Sequence, residues 1–303
     1  MEISRTVHLS RETMDKIKNR ESGYTPDRAK AFEAFYERIE RELFNHRVIT
    51  SNPFTAWWET GEINVAQVRH FITQFSVFSN LFIIAQLQKV MNADSLEAMR
   101  ASKEILVNEL GVIFRPQQKT DLRAKTDGLS WDYVSDPDLV SPEGTVEGGT
   151  FRFSAAHFEW LLRMAEVLGL SFQDIGKRRH GTKSTVFFCD ELYRLYGSDD
   201  YEVAQAASFA VENWAKAGFW KQLIRGFEKF KARQCPSLPL GFFTYHDRLE
   251  DQHAAHTKEE LEEYYFKAPT MDESAFIRNG NEMLDGVAAF WDGLDRDRLT
   301  SPQ

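Results

Sequence analysis

The sequence predicts an all-α protein. Apolar residues recur every three or four positions in almost every long segment, which is the period of a helix with one buried face. Few stretches show the alternation of apolar and polar residues that a half-buried β-strand requires. The chain has 303 residues, of which 42% are hydrophobic, and this composition is enough for a substantial core.

Eight segments carry the helical period. The first spans about 26–46 and has aromatic residues along one stripe, and the second spans about 63–91 and is apolar around most of its circumference. We expect the second helix to be central, because it has almost no polar face to turn towards solvent. Asn and Asp caps, glycines and the Pro236/Pro239 pair supply the breaks. The other segments are at about 95–112, 154–168, 183–197, 200–231, 242–265 and 272–294.

The stretch between Gly111 and Phe153 lacks this periodicity. It is rich in Pro, Gly, Asp, Ser and Thr and contains Gly148–Gly149 near its end. About forty residues is long for a connection within a compact domain, and such segments are commonly lids or binding loops. We therefore expect a single domain over residues 1–303, with a long insertion or lid at about 112–152.

Composition narrows the range of partners and compartments. A net charge of −9 argues against a phosphate-backbone partner, because nucleic-acid binders usually gather a basic surface. No run of eighteen apolar residues occurs, and the first residues lack the apolar stretch of a signal peptide. Cys189 and Cys235 are the only cysteines, too few for a disulfide framework. These features predict a soluble, cytoplasmic protein that binds neither nucleic acid nor a membrane.

Residues 242–256 contain the most informative pattern in the chain. His246, Glu250 and His253 stand at positions i, i+4 and i+7, which fall within roughly 60° of one another on a helix. Two imidazoles and one carboxylate on a single face form half of a metal site. Nitrogen and hard oxygen donors without thiolate suit non-haem iron or manganese. They also suit zinc, but they are less specific for it. A solvated helix face with scattered charges is the alternative interpretation.

Three further residues interrupt otherwise apolar helical stretches with an acid or a histidine: Glu109, His157 and Glu212. A lone buried charge is costly unless it is paired or bound to a metal, so each of them needs a partner. Each also has an ordinary interpretation, as a surface acid at a helix end, a hydrogen-bonded core histidine and half of an ion pair. Together with the 246–253 face they supply three carboxylates and three imidazoles, which is the inventory of a carboxylate-bridged dinuclear site.

The order Glu…His…Glu…His-x-x-x-(Asp/Glu)-x-x-His, with aromatic residues just before the final motif, resembles that of the haem-oxygenase-like di-iron oxidases and oxygenases. The resemblance covers roughly residues 28–265 and implies a haem-oxygenase-like helical bundle. Glu250 stands where this family more often has Asp, and the segment between Glu109 and His157 is longer than in compact members. The resemblance implies six ligands to two Fe(II) ions: Glu109, His157, Glu212, His246, Glu250 and His253.

Membership of this family implies an oxidoreductase that uses O2 as co-substrate to oxidise a small organic molecule. Relatives act on fatty acids or amino acids, by oxidative C–C cleavage, desaturation or N-oxygenation, and the sequence does not choose between these reactions. The sequence also leaves open whether the metal is iron or manganese, whether the protein is a homodimer, and whether Glu147 or Glu159 supplies a seventh carboxylate. Arg152 and Arg163 flank His157 and are candidates for binding a substrate carboxylate.

A ladder of phenylalanines marks the second helix: Phe71, Phe75, Phe78 and Phe82. Core packing is its ordinary meaning, and the wall of a ligand pocket is the alternative.

Competing functions stay open. Thiaminase-like and pyrroloquinoline-quinone-synthase-like enzymes resemble this chain in length and helicity but work without a di-iron centre, and Cys189 would be the nucleophile of a thiaminase-like enzyme. A haem oxygenase would need a proximal histidine, for which His46 is the only reasonable candidate. A ferritin-like site would need two Glu-x-x-His pairs, and only Glu250–His253 fits. A non-catalytic helical interaction protein is the third class.

Overall fold

The computed structural model describes residues 9–113, 152–153, 157–268 and 270–300. Twelve α-helices occupy most of these residues, so the prediction of an all-α fold is confirmed. In chain order they are α1 (Arg11–Lys18), α2 (Pro26–Glu42), α3 (Arg47–Thr50), α4 (Pro53–Glu59), α5 (Val65–Met91), α6 (Leu96–Glu109), α7 (His157–Val167), α8 (Lys183–Glu191), α9 (Tyr201–Ala215), α10 (Phe219–Gln234), α11 (Gly241–Lys267) and α12 (Glu273–Thr300).

Helix α9 is the most deeply buried element. Every residue from Ala204 to Glu212 is buried, and the many small side chains in this stretch let neighbouring helices approach closely. The helix packs against α11, α12 and a π-helical turn, Leu192–Tyr196, that follows α8. Asp200 caps its first turn by accepting hydrogen bonds from two backbone N–H groups. A core position for α9 matters because this helix carries Glu212.

Helix α5 is a second core element, as its apolar sequence predicts. Asn64 and Gln67 form a capping box that defines its start. By length and composition the helix could cross a membrane, but half of its most apolar stretch is buried inside the protein. It packs against α6, α7 and α8. We therefore assign α5 as a core helix of the bundle.

The buried apolar residues of the described helices form one cluster. Aromatic side chains connect helices that are distant in sequence. Trp58 of α4, for example, has its ring centroid 4.6 Å from that of Phe71 of α5 and 5.0 Å from that of Phe227 of α10. These contacts hold the N-terminal and C-terminal helices around one core.

The prediction of a single helix at about 200–231 is wrong. The chain ends α9 at Ala215 and starts α10 at Phe219, and between them Gly218 has a φ of 94°. Glycine reaches this conformation at little cost, and it stops a right-handed helix. Both helices bury one face, so the apolar period continues across the break and hides it. The predicted segment at about 183–197 likewise changes after Glu191 into the π-helical turn.

The apolar period also misses the short helices α1, α3 and α4. Their starts carry recognisable caps, such as Ser10 before α1 and Asn52 followed by Pro53 at the first position of α4. With four to eight residues each, they complete too few turns for a periodic pattern to emerge.

Within the described residues, β structure is limited to the two-residue strands β1 (Val112–Ile113) and β2 (Arg152–Phe153). They pair antiparallel, with Val112 opposite Phe153. The pairing brings the end of α6 to the start of α7. Residues 114–151, which make up nearly all of the predicted insertion or lid, lie outside the described part of the chain.

Candidate metal centre

Three of the six predicted ligands meet where helices α6, α7 and α11 converge. Glu109 is the last residue of α6, His157 is the first residue of α7, and His246 lies in the second turn of α11. One ligand atom of each side chain lies within 4.8 Å of those of the other two. The β1–β2 pairing brings α6 and α7 together, and α7 packs against α11. The three helix segments therefore place two imidazoles and a carboxylate around one point.

Glu109 and His157 contact each other directly. The distance between Glu109 Oε2 and His157 Nδ1 is 2.8 Å, and the side chains are 13% and 7% exposed. Two donor atoms bound at right angles to one ion, each about 2.1 Å from it, are about 3 Å apart. The observed separation therefore suits two ligands of a single ion. A carboxylate that orients a metal-binding imidazole through a hydrogen bond would have the same contact.

His246 is oriented by its own helix. Its Nδ1 lies 2.7 Å from the carbonyl oxygen of Phe242, and because a carbonyl can only accept, this nitrogen carries a proton. In the neutral ring Nε2 then offers a lone pair, which is the usual arrangement of a metal-binding histidine. The ring stacks on Trp220 with centroids 4.9 Å apart, and its centroid is 4.6 Å from that of His157. Packing and hydrogen bonding thus pre-organise this donor.

Glu212 of α9 lines the same pocket as Glu109, His157 and His246, and only 6% of the residue is exposed. Burial, followed by the charge of Glu212, raises the pKa of the nearby Tyr196 hydroxyl well above its usual value, and Glu109 adds to this effect. Two carboxylates thus act on one poorly solvated region. Glu212 is not part of the group of three residues whose ligand atoms lie within 4.8 Å of one another. The donor set that fits a metal ion of the hard or borderline type is therefore that of Glu109, His157 and His246.

Glu250 and His253 lie on α11, which runs unbroken from Gly241 to Lys267. The predicted spacing from His246 is therefore realised on one helix. The side chains of residues 249–256 lie outside the described part of the structure. The roles of Glu250 and His253 as ligands stay predictions.

The described candidate ligands line one partly open pocket. Most of its other walls are apolar and come from α5, α6, α9, α10 and α11. Phe75, Phe78 and Phe82 of the predicted ladder line this pocket, whereas Phe71 is fully buried in the core. Phe71 therefore serves the core alone, whereas Phe75, Phe78 and Phe82 pack against the core and also face the pocket.

Two other residues proposed from the sequence face away from this pocket. Glu159 and Arg163 are exposed on α7 and do not line it. They follow His157 by two and six positions, which places them on the opposite side of the helix. Neither of these two candidates, Arg163 for a substrate carboxylate and Glu159 for a seventh ligand, is among the described residues that line the pocket. Glu147 and the side chain of Arg152 lie outside the described residues.

The structure also shows the surroundings of Cys189 and His46, the residues that the competing functions would need. Cys189 is buried, does not line the pocket, and has a thiol pKa that burial raises to about 12. At pH 7 only about one thiol in 10⁵ would be the reactive thiolate. His46 caps α3 through Nδ1 and contacts Asp285 through Nε2 at 3.1 Å. Both of its ring nitrogens are occupied, so it is poorly suited to binding haem iron.

The sequence did not point to Trp220, which holds His246 by stacking. It lies in the amphipathic α10, where an aromatic residue has no pattern that distinguishes a site wall from core packing. Its register relative to α11 depends on the break at Gly218, which the apolar period hides. Ile105 of α6 and Val211 of α9, which also line the pocket, carry no sequence signal of a site either.

The chain is therefore an all-α protein with a largely buried histidine and carboxylate cluster where three helices converge. Comparison with known proteins adds no closer assignment, because no family model and no curated protein matches the chain.

Proposed function

We propose that the protein is a cytoplasmic, O2-dependent non-haem di-iron oxidoreductase of the haem-oxygenase-like type, acting on a small organic substrate. The observation that carries this proposal is the convergence of Glu109, His157 and His246, separated widely in sequence, within 4.8 Å of one another. Glu212 lines the same pocket. A cluster of this composition, nearly buried and next to an apolar cavity, is chemically suited to a redox metal and a substrate side by side.

In this proposal Glu109, His157, Glu212, His246, Glu250 and His253 hold two ferrous ions. When bound, iron supplies the electron transfer to O2 that amino-acid side chains cannot perform. Desaturation, for example, removes two hydrogen atoms from the substrate; with one O2, two protons and two electrons it yields the alkene and two waters. An external electron donor, such as a reduced electron-transfer protein, supplies the two electrons.

The side chains of this chain have three tasks in that reaction. Trp220 and the Phe242 carbonyl hold the His246 ring in place and fix its tautomer, in which Nε2 is the nitrogen with a lone pair for an ion. Glu109 and Glu212 neutralise the charge of the ions. The aromatic walls exclude bulk water, which prevents side reactions of an activated oxygen species.

Metal content is the direct test. The purified protein is stripped with a chelator, reconstituted anaerobically with ferrous ions, desalted and measured by elemental analysis. We expect about two irons per chain, because six donors suffice for two ions with open positions for O2, and O2 consumption on adding air with a reductant. Stoichiometric haem, or retention of no metal, would overturn the proposal. Parallel reconstitution with manganese shows which ion the site prefers.

A further inference from the structure

Apart from the candidate ligands, few of the described residues that line the pocket have a polar side-chain atom. Among the described residues that line it, the others with a polar side-chain atom are Ser79, Trp214 and Trp220, and none is a lysine or arginine. The hydroxyl of Ser79 makes no hydrogen bond to another described residue, and the residue is 8% exposed. Ser79 lies on α5 between the lining residues Phe75 and Phe82, so its helical face is the pocket face.

This apolar lining favours uncharged ligands over charged ones. An ammonium or a carboxylate group that leaves water needs a counter-charge or several hydrogen bonds, and the apolar wall supplies neither. The acidic side chains among the described lining residues are those of Glu109 and Glu212, and in the proposed enzyme a bound ion neutralises them. An anionic group has one alternative, the ion itself, where it would compete with Glu109 and Glu212 for coordination. A ligand without charge pays no such cost, and each apolar group that it buries against the wall favours binding.

We propose that this pocket binds an uncharged, largely apolar molecule whose single polar group, a hydroxyl or carbonyl, is hydrogen-bonded by Ser79. As the substrate class of the enzyme, this inference rests on the proposed function. It favours oxidation at carbon over N-oxygenation of an amino acid, because the wall offers no partner for an ammonium or a second charged group. Aromatic side chains from α5, α9, α10 and α11 favour a substrate with a flat or ring-shaped apolar part.

A matched set of small probes tests the charge preference: 2-phenylethanol, phenylacetate and 2-phenylethylammonium. Binding is measured by titration calorimetry on the full-length protein, both metal-free and loaded with ferrous iron under anaerobic conditions, so that no turnover occurs. We expect 2-phenylethanol to bind at least about tenfold more tightly than phenylacetate in both states, and at least about tenfold more tightly than 2-phenylethylammonium in the iron-loaded state. The metal-free comparison with the ammonium probe is not used, because Glu109 and Glu212 line the pocket and would attract it when no ion is bound. Tighter binding of phenylacetate to the iron-loaded protein would overturn the inference, and so would equal affinities or no binding by any probe.

Ser79→Ala tests the assigned hydrogen bond. It should weaken binding of 2-phenylethanol by about threefold to tenfold and leave ethylbenzene, which lacks the hydroxyl, unchanged. Ser237→Ala is the matched control, because Ser237 is exposed and lies outside this pocket. An equal loss for both probes would assign Ser79 a packing role and contradict the hydrogen bond.

Ile105→Trp tests whether 2-phenylethanol binds in this pocket. Ile105 is a partly exposed wall residue, so a larger side chain can fill the cavity without entering the core, and far-UV circular dichroism checks the fold. We expect 2-phenylethanol binding to be lost. Unchanged binding would place the probe elsewhere and contradict the inference. Failure to retain iron would overturn the proposed function alone, because the probe preference is measured without metal as well.

Discussion

Two histidine–carboxylate pairs in this molecule have the same contact distance and opposite surroundings. His157 Nδ1 and Glu109 Oε2 are 2.8 Å apart, and so are His70 Nε2 and Asp297 Oδ2. The side chains of the first pair are 7% and 13% exposed, and those of the second are 37% and 35% exposed. Distance alone therefore does not distinguish a candidate site from a surface contact.

The difference in burial determines whether each histidine–carboxylate pair needs further partners. The pair of His70 and Asp297 joins α5 to α12 in contact with solvent, where an ion pair contributes at most about 1 kcal/mol. The pair of His157 and Glu109 has given up most of its hydration, so its charges need further partners. His246 is the third donor beside it, and among the described residues these three form the one group with metal-binding geometry. The comparison predicts that metal dependence belongs to the buried pair alone.

The largest expected difference between the pairs is in iron affinity. His157→Ala should lower the affinity for ferrous iron by at least about 100-fold, since even residues that only orient a metal ligand are worth 10-fold to 100-fold. His70→Ala removes the same imidazole from the exposed pair and should leave the affinity unchanged. Anaerobic competition against a chromophoric chelator measures both. Equal affinities in the two variants would remove the distinction between the pairs.

The stabilisation of the folded protein by iron should likewise depend on the buried pair and not on the exposed pair. Ferrous iron at a free concentration 100 times its dissociation constant should stabilise the folded protein by about 2.7 kcal/mol, because it binds the folded state alone. This gain should be retained in His70→Ala and lost in His157→Ala. Urea unfolding under anaerobic conditions, with and without iron, gives the free energies. Stabilisation of His157→Ala by iron would show that the metal binds elsewhere.

Glu212 lines the same pocket as the buried pair but belongs to another helix, so it tests whether the site extends beyond that pair. Glu212→Ala should lower iron affinity by at least about tenfold, while the helical content of the metal-free protein, measured by far-UV circular dichroism, stays unchanged. Glu228→Ala, on the exposed face of α10, is the control and should change neither quantity. If Glu212→Ala retains wild-type iron content and O2 consumption, Glu212 is not a ligand.

The smallest effect should come from the exposed pair itself. A double-mutant cycle with His70→Ala and Asp297→Asn should give a coupling energy below about 1 kcal/mol, decreasing further in 1 M salt because exposed charges are screened. Urea unfolding of the four proteins at low and high salt measures it. A coupling above about 2 kcal/mol that resists salt would mean that half-exposed pairs here behave as buried ones.

The periodic part of the fold was predictable from the sequence because burial of one face leaves a repeating trace. The start of α5 at Val65 and the extent of α11 differ from their predicted bounds by two residues or fewer. The break at Gly218 was not predictable in this way, because a glycine that stops a helix and one inside it look alike until φ is known.

By itself the sequence determined the all-α class and the face of α11 on which His246, Glu250 and His253 recur, because both follow from a period along one helix. The contact between Glu109 and His157, by contrast, depends on how the helices pack. Forty-eight positions separate them, and no local period extends across such an interval. The pairing of β1 with β2 brings their helices together, and long-range contacts of this kind depend on packing and on the entropy of closing the loop between them.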